Sequence, residues 1–100
     1  MGPVGELRFE WDARKNAANQ RKHGVSFEEA QSAFADEFGR LIADPDHSDQ
    51  EDRFILLAMS VQLRILIVCH CYRHGDKIRI ISARKANRLE RTQYERYKNA

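Results

Sequence analysis

A chain of 100 residues, 42% apolar and 9% aromatic, can bury one hydrophobic core and little more. No apolar run approaches the roughly 18 residues of a membrane span, and Met1-Gly2-Pro3-Val4-Gly5 lacks the features of a secretory leader, so a cytoplasmic protein without a membrane is expected. The formal net charge of +2 is unevenly spread: Ser26 to Asp52 sets nine carboxylates against Arg40 alone (−8), whereas Lys77 to Ala100 sets eight bases against Glu90 and Glu95 (+6).

In chain order, Leu7-Arg8-Phe9-Glu10-Trp11 alternates apolar and polar residues and predicts a short first strand. Asp12 is a good helix N-cap and Gly24 a good stop, bracketing a helix whose apolar residues are all alanine. Ser26-Phe27-Glu28-Glu29 fits a capping box and opens a second helix, expected from Phe27 to about Phe34. After a turn near Gly39 comes a short apolar stretch, Leu41-Ile42-Ala43, and then a polar loop from Asp44 to Asp52. Phe54 to Ser60, Ile65 to Tyr72 and Lys77 to Ala83 read as three strands, the last two joined by a hairpin at His74-Gly75-Asp76. Strict alternation in the last strand puts Ile78, Ile80 and Ser82 on one face and Arg79, Ile81 and Ala83 on the other. A third helix, from about Ala86 to Tyr97, closes the chain with charge pairs such as Arg91 with Glu95. The predicted architecture is one α+β domain over residues 1–100, in the order β-α-α-β-β-β-α, with antiparallel hairpins.

The sequence holds no glycine-rich phosphate loop, no C-x-x-C pair and no H-E-x-x-H, so neither a cofactor nor a metal is expected. Cys69-His70-Cys71 does not make a zinc site, because neighbours on a strand point to opposite faces. Reduced cysteines on a central strand explain both thiols, which lie too far apart along the chain to bridge well. His70 is either a satisfied core histidine or an acid–base group near the strand's exit. His47, four residues before Glu51, is either part of a solvated loop or a base held by a carboxylate. Arg79 interrupts an isoleucine strand, so it must pair with a carboxylate such as Glu51 or face a wet groove. In the second case Arg79, Arg84 and the start of the third helix form a candidate phosphate cradle.

Three stretches together resemble a known family. Phe9-Glu10-Trp11-Asp12 followed by Lys15, Asn19 and Lys22-His23-Gly24-Val25-Ser26-Phe27-Glu28-Glu29-Ala30 is similar to the N-terminal signature of the BrnT toxins. Asp46-His47-Ser48 with Glu51 and Arg53 resembles that family's central motif, and Arg79-Ile80-Ile81-Ser82-Ala83-Arg84-Lys85-Ala86 with Glu90 and Tyr94 its C-terminal motif. The matches run in order over nearly the whole chain, and residues 1–6 fall outside them as a variable start. Cys71 stands where the family usually has another residue after the strand histidine.

The resemblance implies a RelE-like fold with helices packed on a twisted antiparallel sheet. It also implies an endoribonuclease that halts translation, neutralised by a DNA-binding antitoxin of the BrnA kind through which the pair acts on operator DNA. A homodimer is compatible with it. For such a reaction the residues to test are Arg79 and Arg84 as phosphate stabilisers and His47, Glu51 and His70 for proton transfer. Lys15, Lys22, Lys85 and Arg88 would be RNA-backbone contacts. Two other classes compete: a non-catalytic module that grips nucleic acid or an antitoxin, and a structural domain whose opposite charges drive self-association.

Overall fold

The computed structural model describes residues 7–44 and 53–100. His47 and Glu51, with the rest of the polar loop and the N-terminal start, lie outside the described residues. The elements are β1 (Arg8–Glu10), α1 (Ala13–His23), α2 (Phe27–Ser32), a 3₁₀ turn (Ala33–Ala35), β2 (Arg40–Ala43), β3 (Arg53–Met59), β4 (Ile65–Arg73), β5 (Lys77–Lys85) and α3 (Arg88–Lys98). They form one five-stranded sheet in the order β1-β5-β4-β3-β2, so β4 with its two cysteines is central.

The helix ends follow the local chemistry. The Asp12 carboxylate accepts from the Arg14 and Lys15 N–H groups, and Gly24 takes a left-handed φ of 70° to close α1. Ser26 caps α2 by accepting from the Glu29 N–H, and Asn87 with Glu90 forms a reciprocal capping box at α3. α2 ends at Ser32, short of the expected Phe34, and the chain tightens into the 3₁₀ turn.

Three features depart from the sequence reading. The sheet is mixed, because β1 pairs parallel with β5 while every other pairing is antiparallel. Leu41-Ile42-Ala43 belongs to a fourth, edge strand of the antiparallel part, with Leu41 opposite Leu56 and Ile42 opposite Ile55. The third is a β-bulge. Cys69 faces Ser82 but His70 faces Ile80, so Ile81 has no opposite number.

The bulge reverses the alternation of β5 midway. Ile78, Ile80 and Ala83 all turn to one face and are buried there, Ala83 with the core that Val25, Phe27, Ala30, Leu66 and Val68 build beneath α1 and α2. Arg79, Ser82 and Arg84 consequently share the other face, where α3 packs Tyr94 against Leu57 and Ile67. At the edge of β5 beyond the end of β1, the Asn19 side chain takes the place of a strand. Its amide donates to the Ala83 carbonyl at 2.7 Å and accepts from the Ala83 N–H at 3.1 Å. It also donates to the Val25 carbonyl, which joins α1 to the start of α2. No described helix is long and apolar enough to cross a membrane.

Candidate nucleic-acid-cleaving site on the sheet

Beyond α3 the sheet face it covers becomes polar. Register places Arg8, Lys77 and Arg73 in one row across β1, β5 and β4. The adjacent row holds Glu10, Arg79, Cys71 and, on β3, Arg53. Parallel pairing of β1 produces this arrangement, because it sets Glu10 directly beside Arg79. The Arg79 guanidinium donates to Glu10 Oε2 at 3.2 Å, and Lys77 Nζ lies 3.7 Å from Oε1. Each of the three side chains retains close to a third of its exposure. Desolvation acts to raise the Glu10 carboxyl, but the Arg79 hydrogen bond and the charges of Lys77, Arg79 and Arg73 outweigh it and hold the group below the usual carboxylate range.

Arg79 is therefore paired, and its described partner is Glu10 on β1. The alternation of the first strand, with Arg8 and Glu10 on one side, was the available signal. Sequence reasoning missed its meaning because nothing in the sequence specified which strand β1 would join.

Arg84 shares the face of Arg79 through the bulge, yet the two do not form one cradle. Arg79 stands opposite Cys71 and Arg84 opposite Ile67, four positions along β4 and so about 13 Å apart. Arg84 makes a two-pronged bond to Glu90 at 2.8 and 2.9 Å. Glu90 also accepts from the Asn87 N–H, and the Asn87 side chain accepts from the Glu90 N–H. The start of α3, expected to cradle a phosphate, thus already holds a carboxylate.

His70 lies on the opposite face, fully buried. Its ring sits among Phe34 at 4.8 Å, Tyr72 at 5.5 Å and Phe54 at 6.2 Å between centroids. Nδ1 donates to the Val68 carbonyl at 3.1 Å, and Nε2 has no hydrogen-bond partner among the described residues. Burial lowers its pKa, against the smaller effect of the Val68 bond. The sheet separates this imidazole from Arg79 and Arg84. Cys69 and Cys71 point to the arginine face, so they do not converge with His70.

The cations expected to hold RNA are exposed but dispersed. Lys15 and Lys22 lie two turns apart on α1, on the His70 side of the sheet, while Lys85 and Arg88 flank the β5–α3 junction.

Comparison with known proteins gives the family of the chain. Residues 11–90 match the family described as the ribonuclease toxin, BrnT, of type II toxin–antitoxin systems. The chain belongs to the BrnT family. A BrnT protein is a ribonuclease toxin, which makes RNA its substrate and an antitoxin its partner. The crystal structure of the Brucella abortus ribonuclease toxin BrnT shares the fold, with a TM-score of 0.65 at 20% identity over 83% of this chain and 100% of that one. A search of curated proteins gave no match. The BrnT match spans both Arg79 and Arg84 but begins at Trp11, one residue after Glu10.

Proposed function

We propose that this BrnT toxin cleaves RNA without a metal ion, on the open part of the sheet face centred on Arg79. One observation carries the reading: β1, β5 and β4 place Arg8, Arg73, Lys77 and Arg79 in two adjacent rows around the Glu10 carboxylate. In metal-free cleavage the ribose 2′-hydroxyl attacks the neighbouring phosphate, and the protein must stabilise the added negative charge. Guanidinium and ammonium groups held at fixed positions do this without reorganising. Arg79 is the principal stabiliser, whereas Arg84, bound two-pronged by Glu90, anchors the start of α3. His47, with Glu51 as its partner, is the family motif's candidate for proton transfer. His70 acts by packing the opposite face. Lys85 and Arg88 contribute affinity along the RNA backbone without sequence choice, whereas Lys15 and Lys22 lie across the sheet from this face and take no part in that binding.

The antitoxin of this reading is a DNA-binding protein of the BrnA kind, through which the pair reaches its operator. The toxin works in the cytoplasm as one domain and stops translation. The test is a defined RNA incubated with the purified protein in EDTA, beside Arg79→Ala, Arg84→Ala, His47→Ala and His70→Ala. Cleavage should persist in EDTA and fall about 10²–10³-fold in Arg79→Ala, the range for losing one oxyanion-stabilising donor. Intact RNA with folded parent protein would favour the non-catalytic binding module.

A further inference from the structure

We propose that Glu10 is the general base of the cleavage and takes the proton of the ribose 2′-hydroxyl whose adjoining phosphate rests on Arg79 and Lys77. The inference builds on the site reading above and concerns a residue just outside the BrnT match.

In the rows formed by β1, β5 and β4, Glu10 is the sole carboxylate, set among Arg8, Arg73, Lys77 and Arg79, with Asp12 following on the chain. Such a carboxylate is either a structural counter-ion or a reacting group, and the protein's other ion pairs show what its structural ones look like. Arg84 and Glu90 meet through two short parallel bonds, and Arg64 grips Glu29, whose side chain is 1% exposed, through two guanidinium nitrogens with Ser60 Oγ added at 2.7 Å. Glu10 is held more loosely than either. Its hydrogen bond to Arg79 is 3.2 Å long, its approach to Lys77 is 3.7 Å, and it is 31% exposed against 22% for Glu90 and 1% for Glu29. Among the described residues Glu10 alone forms an ion pair with Arg79 and Lys77, and their remaining donors can turn to an incoming phosphate.

Proton transfer then closes without any additional reagent. The 2′-oxygen bonds to phosphorus as its proton passes to the Glu10 carboxylate. The bond from phosphorus to the 5′-oxygen breaks, and that oxygen takes a proton from solvent. The products are a 2′,3′-cyclic phosphate and a free 5′-hydroxyl, and Glu10 returns its proton to water. A carboxylate whose pKa is lowered by cations is a weaker base, but the substrate changes its surroundings. The phosphate draws Arg79 and Lys77 to itself and brings negative charge next to Glu10, both of which increase the carboxylate's affinity for a proton.

The experiment measures kcat and KM of the full chain on a short RNA in EDTA across pH, for the parent, Glu10→Gln and Glu10→Asp. Binding of the 2′-deoxy form of the same oligonucleotide is measured alongside. Glu10→Gln should lower kcat about 10²–10⁴-fold, abolish the rise of rate with pH on the acid side, and bind the deoxy oligonucleotide at least as tightly as the parent. Glu10→Asp should keep the acid-side rise with a kcat at least about tenfold reduced, and it stands in if the glutamine variant fails to fold. A parent that cuts beside a Glu10→Gln variant with unchanged kcat, or one whose loss lies in KM with the pH profile intact, overturns the base assignment and leaves the ribonuclease site standing. A Glu10→Asp variant with parental kcat overturns it as well. A folded parent that leaves RNA whole in EDTA overturns both.

Discussion

His70 shows how one buried side chain can impose a pH limit on the whole fold. Its Nδ1 faces a carbonyl, which only accepts, so the ring carries its proton there, and among the described residues the neutral form's Nε2 has no partner in a ring cluster of Phe34, Phe54 and Tyr72. A second proton would place a charge where burial opposes it, so the folded pKa lies below the ordinary value of 6.5. The unfolded chain therefore binds more protons once the pH drops to that value. The stability that His70 contributes as a neutral ring is complete above about pH 6.5 and is lost as the pH falls toward the folded pKa. Thermal melts from about pH 8 to about pH 5 should show the parent losing stability on the acid side, and His70→Leu should flatten that slope. An identical slope in both proteins would mean that other groups set it. At Arg79 the sequence reading offered a carboxylate or phosphate, and the structure supplies a carboxylate whose hold is loose.

At the scale of elements, the parts visible in the sequence were those governed by near neighbours. Asp12, Gly24 and Ser26 fix the helix ends through contacts one to four residues away, and the ends fall where expected. The parts that escaped depend on distant partners. Arg40–Ala43 is a strand because β3 offers it a hydrogen-bonding edge, and four mostly exposed residues carry little pattern of their own. The parallel docking of β1 and the bulge at Ile81 likewise have no local mark, yet they determine which charges meet at the site. Asn19 was legible only as part of a family motif, and its task is now specific. Replacing it with leucine strands the buried N–H and C=O of Ala83 at the edge of β5. The loss of stability should be on the order of 3 kcal/mol, read as a lower denaturant midpoint with an unchanged slope. A variant as stable as the parent would show that water serves that edge equally well.

For the molecule as a whole, the charge segregation seen along the sequence folds into a more specific pattern. Among the described residues, Glu90 neutralises Arg84 from within the basic end, Glu29 binds Arg64 outside it, and the strip of Arg8, Arg73, Lys77 and Arg79 sets Glu10 against four cations. RNA binding should accordingly weaken with salt, and each strip cation changed to alanine should reduce the slope of log affinity against log salt by about 0.7. Lys22→Ala, on the opposite side of the sheet, gives the comparison. An equal change there would mean that RNA wraps both faces.

The extra residue at Ile81 gives the chain something like a reading frame for its faces. If Ile81 paired evenly with Cys69 instead of bulging, everything downstream would shift by one place and exchange sides. Ala83 would turn from the core toward the site, Arg84 from the site toward the core, and α3 would leave β5 facing the wrong layer. Deleting Ile81 would leave Ser82, Ala83 and Arg84 opposite their present partners, whereas pairing it into the ladder would turn the last fifth of the protein inside out.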